Sequence, residues 1–281
     1  MSSDTNQSAA DPWNDIAVVN EKLLRPGISL QESQDLYNMW ARMGTYDKVR
    51  HSFKFGSPHC LPWQTRRRVF SFAYPKRVLV LGISEISDYV FAVLCREQLY
   101  LSAEAKYYTA HDQLMTGVLS IFPHNRDIRV LDVGAGTGLI GERLRDHGFK
   151  NVDALDASVE MLKAAERKGV YQRYLQGVFT QDPIDGIDND TYDLIVMCGV
   201  CGPGAVPVEA FEEAVRILKP NGYVVNCMRA EYLETCPEYR GRWQPFVARL
   251  EEEGKWRLVS QHKYSNHYFN HDGLLIIHQI F

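Results

Sequence analysis

From about Ser102 to the C-terminus, short apolar runs alternate with amphipathic stretches. Ala103–Ile121 carries apolar residues at helical spacing and stops at Pro123. Runs at Val130–Leu131, Asn151–Asp156, Tyr171–Phe179, Tyr192–Met197 and Tyr223–Cys227 predict strands buried on both faces. Between them lie predicted helices. Leu139–Asp146 has Leu139, Ile140 and Leu144 on one face and Gly148 as its stop. A second opens at Ala157-Ser158 and carries Met161, Leu162 and Ala165; a third, Pro207–Leu218, turns Phe211, Ala214, Val215 and Leu218 inward. Gln244–Glu253 is a further helix ended by Gly254, and Trp256–Ser260 with Leu274–Phe281 reads as an antiparallel edge pair. Alternating strands and helices demand an α/β, Rossmann-like fold: a mostly parallel seven-stranded sheet with helices on both faces.

The N-terminal part reads differently. Residues 1–15 are polar and predict a flexible tail without the apolar core of a signal peptide. In residues 16–48, Ser29-Leu-Gln-Glu32 is a capping box, opening a helix with Leu36, Met39, Trp40 and Met43 on one side. Residues 49–98 fit no consistent period. Their apolar run Val78–Leu81 could be a strand, but Gly82-Ile-Ser-Glu85 makes no phosphate loop. The Arg66-Arg67-Arg68 cluster reads as a solvated face, because the net charge is −4 and no basic footprint for nucleic acid exists. No run has the length and apolarity of a membrane span. The 6 cysteines are scattered and read as thiols of a cytoplasmic protein. Oligomeric state is not legible.

The chemistry centres on Arg129-Val-Leu-Asp-Val-Gly-Ala-Gly-Thr-Gly-Leu-Ile-Gly141. Strand, glycine turn and helix together make a binding site for a nucleotide-like ligand at the helix N-terminus. Gly136, Gly138 and Gly141 satisfy the dinucleotide pattern, so a nicotinamide oxidoreductase is one reading. Asp132 argues against it, since a carboxylate repels a pyrophosphate and attracts a ligand bearing ammonium and sulfonium groups. Asp156 ends the next strand about 20 residues past the turn, where a carboxylate can accept from both ribose hydroxyls. Ser158 can cap the following helix in its place.

The pattern Asp132-x-Gly134-x-Gly136-x-Gly138 resembles the first motif of class I S-adenosylmethionine (SAM) methyltransferases. Lys219-Pro220-x-Gly222 before a strand is a frequent mark of the same fold. Leu36–Asp47 is similar to an N-terminal lid segment of small-molecule methyltransferases; Trp40, Ala41, Tyr46 and Asp47 match it, and Asn38 replaces an aspartate. With Gly169-Val-Tyr171-Gln172-Arg173 and Gly254-Lys-Trp256, the chain resembles the methyltransferase-like family of the Williams–Beuren syndrome region. The resemblance implies SAM as cofactor. It also implies a cofactor site made of Asp132, Gly134, Ala135, Gly136, Gly138, Asp156, Ala157, Met161, Phe179 and Cys198. Tyr37, Trp40, Tyr46 and Asp47 would be lid or substrate residues, and 99–281 the SAM-binding domain. Val178 stands where an acid commonly binds the adenine amino group, leaving the Phe179 backbone and ring for that task. Joining Lys48 to Leu99 restores the family's order, so 49–98 is expected to lie outside the catalytic fold, with a retained intron as one source; the alternative is a real insertion that builds a second subdomain or an acceptor-specific lid.

The acceptor is expected to be a small molecule or a peptide side chain, with no nucleic acid or membrane partner. No catalytic residue is identified, because SAM carries its own activation and positioning supplies most of the rate. A non-catalytic SAM-binding or partner-binding module is the alternative. Cys198-x-x-Cys201 is read as small residues filling a crowded strand end and not as a metal site. Asn266–His271 is expected to be a polar strand connection.

Overall fold

Strand geometry follows the apolar runs closely, but several elements depart from their predicted bounds. A computed structural model describes Ser29, Gln31, Glu32, Gln34, Asp35 and Asn38, the strand backbone at 71–74 and 77–80, and residues 108–268 and 270–281. In chain order its elements are strands β1 (Ser71–Tyr74) and β2 (Arg77–Val80), helix α1 (Ala110–Ile121), β3 (Arg129–Val133), α2 (Leu139–Asp146), β4 (Asn151–Asp156), α3 (Val159–Glu166) and β5 (Tyr174–Gln176). They continue with β6 (Tyr192–Cys198), a 3-10 turn at Val208–Ala210, α4 (Phe211–Ile217), β7 (Leu218–Arg229), α5 (Tyr232–Thr235), α6 (Trp243–Glu252), β8 (Trp256–Tyr268) and β9 (His271–Ile280).

Seven strands form one sheet in the order β5-β4-β3-β6-β7-β9-β8. The five from β5 to β7 are parallel, and β9 runs antiparallel between β7 and β8. This is the Rossmann-like class I methyltransferase architecture that the sequence pattern implies. The order reverses between β3 and β6: the chain moves outward through β4 and β5, then returns to the far side of β3. That reversal opens a crevice beyond the carboxyl ends of the two strands, the usual ligand position in open α/β sheets.

Both faces of the sheet are covered, as the near-continuous burial of β3 and β6 requires. On one face Leu131, Val133, Ile195, Met197 and Val224 pack with Phe211, Ala214, Trp243 and Leu250. On the other, Val130, Leu194, Val196 and Val225 pack with Leu114, Val118, Ile140, Leu144 and Leu162. Residues one apart on a strand thus serve opposite cores, as a period of two dictates. Helix α1 lies close on the sheet because position 117 is glycine. A Cβ there would sit 3.1 Å from Val225 Cγ1 and 3.2 Å from Leu275.

The departures have physical causes. Tyr108 and Thr109 are not helical, so α1 begins at Ala110 instead of Ala103; residues 103–107 lie outside the described residues. The predicted strand Tyr171–Phe179 shrinks to Tyr174–Gln176, because Tyr171 turns its ring into the core. Leu218, expected to end a helix, begins β7. Strand β8 runs well past Ser260 to Tyr268, with a register shift between Tyr264 and Tyr268 and Asn266 at φ 62°.

The capping box is present: Ser29 N donates to Glu32 Oε2 at 3.1 Å, and Glu32 N donates to Ser29 Oγ at 3.2 Å. Within 49–98, β1 and β2 pair with each other, in a two-stranded antiparallel sheet separate from the seven-stranded one. Val78–Val80 is therefore a strand, but not the first strand of the Rossmann-like sheet. Among the described residues, no helix is long and apolar enough to cross a membrane.

Candidate functional site

The glycine turn joins β3 to α2 across the carboxyl ends of the parallel strands. Gly134, Gly136 and Gly138 all have positive φ, at 70°, 54° and 88°. At Gly134 a side chain is excluded twice, by conformation and because a Cβ would lie 2.4 Å from Val200 Cγ2. Gly134 N and Ala135 N both donate to Leu155 O, at 2.8 and 3.1 Å, tying the turn to β4. Asp156 completes the tie: its Oδ2 accepts from Gly136 N at 2.8 Å and its Oδ1 from Ser158 N at 2.8 Å. Ser158 caps α3 through Met161 N at 3.1 Å, so Asp156 is not consumed as a cap. Burial raises the Asp156 carboxyl above its usual range, and the two backbone donors partly offset that.

Behind the turn, Asp132 is 1% exposed. The Tyr171 hydroxyl donates to its Oδ2 at 2.6 Å and accepts from Gly141 N at 3.1 Å. Burial pushes the Asp132 carboxyl up to about 7; the Tyr171 bond lowers it and the nearby Asp156 charge raises it. Gly141 is small for packing reasons, since a Cβ would fall 2.4 Å from the Tyr171 ring. Its place in the dinucleotide spacing thus follows from the need to admit Tyr171. The rest of the short Gly169–Arg173 motif is also structural: Arg173 Nη2 donates to the buried Asp153 at 2.9 Å, and Gln172 Nε2 to Asn151 at 3.0 Å.

A cavity of about 220 Å³ opens in front of the turn. Its walls include Gly134, Ala135, Gly136, Asp156, Ala157, Met161, Phe179 and Cys198. Eight of the ten cofactor residues expected from the sequence therefore meet at one cavity. Asp132 and Gly138 do not line it: Asp132 lies behind the turn on Tyr171, and Gly138 caps α2. Asp132 therefore lies next to the turn but not on the cavity wall. Val178 lines the wall beside Phe179, whose ring also belongs to the core. Of the N-terminal helix, Gln34 reaches the cavity, and Ser158 Oγ donates to Asn38 Oδ1 at 2.7 Å. Tyr37, Trp40, Tyr46 and Asp47 lie outside the described residues.

The same cavity is also lined by Tyr108, His111, Arg229, Tyr232, His267 and Tyr268, a group that was not legible in the sequence. The Asn266–His271 stretch is not a mere connection: His267 is 3% exposed at the cavity, and its Nδ1 lies 2.6 Å from Tyr264 Oη. The register shift in β8 between Tyr264 and Tyr268 breaks the strict alternation, so His267 is buried only three residues after Tyr264. A histidine among aromatic residues in an edge strand was the available signal. Cys198 is half-buried on the wall, and burial pushes the Cys201 thiol up to about 12, which keeps it protonated. Among the described residues, no group of three or more His, Cys, Asp or Glu could hold a metal ion.

Residues 131–224, which hold the glycine turn and Asp156, match a family model described as a methyltransferase domain. Among curated proteins, the chain is 32% identical over 127 residues to human methyltransferase-like protein 27, covering 45% of this chain and 50% of the relative. It is 33% identical over 108 residues to the malonyl-[acyl-carrier protein] O-methyltransferase of Pectobacterium atrosepticum, covering 38% and 41%. The chain thus spans about half the length of the curated relatives it matches. Among solved structures, the N-methyltransferase NodS from Bradyrhizobium japonicum, in complex with S-adenosyl-L-homocysteine (SAH), aligns with TM-score 0.45 at 20% identity, over 60% of this chain and 85% of that one.

Proposed function

We propose that this protein is a SAM-dependent methyltransferase acting on a small-molecule or peptide acceptor. The observation that carries the reading is one cavity at the strand-order reversal, lined by the glycine turn and the Asp156 carboxylate and also by Tyr108, Tyr232 and Tyr268. The Asp156 oxygens each hold one backbone donor and retain capacity for ribose hydroxyls. The Phe179 ring would pack against adenine, and Gly134–Gly136 would pass the methionine part. In the transfer, the methyl–sulfur bond breaks with its electron pair remaining on sulfur, and an acceptor lone pair forms the new bond to carbon. SAM becomes SAH, and the acceptor gains the methyl. The chain's part is to align the two in a dry site, where positioning supplies most of the rate. A neutral acceptor that must lose a proton meets His111 and His267 in the same cavity.

The proposal includes kinship with the Williams–Beuren-region methyltransferase-like family, supported by the Gly169–Arg173 and Gly254–Trp256 motifs. It includes a cytoplasmic setting, supported by the free thiols of Cys198, Cys201, Cys227 and Cys236. Residues 49–98 would stand outside the catalytic fold, supported by the separate pairing of β1 and β2. The test is transfer of labelled methyl from SAM to components of a cell extract by the purified chain. Label appearing in an acceptor together with SAH is the expected result. Tight cofactor binding without transfer to any fraction would favour a non-catalytic SAM-binding module.

A further inference from the structure

We propose that Arg229 is the carboxylate-binding residue of the acceptor wall, and that the acceptor is a small carboxylic acid with a flat apolar body. That the ligand is a methyl acceptor rests on the methyltransferase reading; the anion site stands on its own geometry. Arg229 ends β7, is 9% exposed, and lines the cavity. Its guanidinium lies over two rings, 5.5 Å from the Tyr232 centroid and 5.3 Å from that of Tyr268. Its nearest carboxylate oxygen is Glu231 Oε1 at 3.6 Å, too long for a charge-assisted hydrogen bond. The other Glu231 oxygen is taken by His271 Nδ1 at 2.8 Å. To the described residues the Arg229 guanidinium donates no hydrogen bond. Arg173 and Arg216 behave differently, bonding Asp153 at 2.9 Å and Glu213 at 2.6 Å. A nine-tenths buried cation with open donors is costly unless a ligand fills them.

The chemistry of that ligand follows from the surroundings. The planar fork of arginine suits a carboxylate bound through both oxygens. Glu231 nearby disfavours a doubly charged anion such as phosphate. The rings of Tyr232, Tyr268 and Tyr108, the last two edge to face at 5.6 Å, favour a flat apolar body. Position separates this site from the cofactor's. Arg229 lies on β7, two strands from β3 and so roughly 10 Å along the sheet. Asp156 and Phe179 belong to the β4–β5 side. A carboxylate held by a guanidinium is a poor nucleophile, so Arg229 anchors the acceptor and the methyl goes to another atom of it.

The experiment is calorimetry on the full chain with benzoate and benzamide, with and without saturating SAH. Benzoate should bind at least about tenfold more tightly than benzamide, since the difference is one charge-assisted pair. Arg229→Gln should abolish the preference and leave SAH affinity within about twofold, while Arg229→Lys should keep part of it. Equal binding of the two probes, no binding of benzoate, or a preference surviving in Arg229→Gln would overturn the proposal. So would a tenfold loss of SAH affinity in Arg229→Gln, which would put the guanidinium on the cofactor's own carboxylate. If SAH fails to bind while benzoate is still preferred through Arg229, the methyltransferase reading falls and the carboxylate site stands.

Discussion

Asp132→Asn separates what a buried carboxylate does for the fold from what it does for a cationic ligand. The Asn side chain keeps the shape and can still accept from the Tyr171 hydroxyl. In the wild type, burial raises this carboxyl from 3.8 to about 7. The folded state therefore keeps its proton up to about 7, while the unfolded state releases it near 3.8. Across that window the folded state binds more protons, so this group's contribution to stability falls as pH rises. A rise of that size corresponds to a loss of about 4 kcal/mol, complete above about pH 7 and absent below about pH 4. Urea titrations at several pH values should show a wild-type slope in this window that the variant lacks. The proposed cofactor adds a second readout. SAM carries a sulfonium charge that SAH lacks, and an adjacent cation favours the ionised carboxylate. The ionised fraction of Asp132 rises from about one-tenth at pH 6 to about nine-tenths at pH 8. The ratio of SAM to SAH affinity should then grow by up to about tenfold over that range. In Asp132→Asn the ratio should stay flat. A wild-type ratio that does not change with pH, or a variant that changes as the wild type does, would refute the electrostatic role.

Other substitutions test neighbouring parts of the site. Asp156→Ala should cost about 1.5–3 kcal/mol of SAM affinity by calorimetry, and should also lower the melting temperature without ligand, because Gly136 N and Ser158 N lose their acceptor. Gly141→Ala drives a Cβ into the Tyr171 ring and should destabilise by about 1–3 kcal/mol in urea; a neutral effect would mean that the ring yields easily. His278→Phe tests acid stability. Burial lowers His278 to about 4, so below about 6.5 the unfolded state takes a proton that the folded state refuses, and stability falls as pH falls. Phenylalanine can keep the stack on Trp256, 4.0 Å between ring centroids, and should gain up to about 3 kcal/mol relative to wild type by pH 4.

The glycine turn and its tie to Asp156 were legible in the sequence because they are local. A strand, three glycines and an acid on the next strand are neighbours along the chain, and the parallel pairing that joins them follows from the element order. Burial of β3 was legible from its composition, but the partner of Asp132 was not. Tyr171 lies 39 residues away, and its short motif read only as a family mark until the ring was seen under Gly141. The part of the cavity lined by Tyr108, Arg229 and His267 was not legible at all. These residues come from three distant elements, and the register shift in β8 breaks the alternation around His267. Alternation alone assigns such an edge strand a solvent face, so its buried residues escaped. The lid residues Tyr37, Trp40, Tyr46 and Asp47 stay expectations drawn from resemblance.

Calorimetric titration of the full chain with SAH tests the central claim most directly. One site per chain, affinity reduced at least about tenfold in Asp156→Ala, and no heat on titration with NAD are the expected results. Absence of SAH binding, or binding of NAD through the same glycine turn, would contradict it.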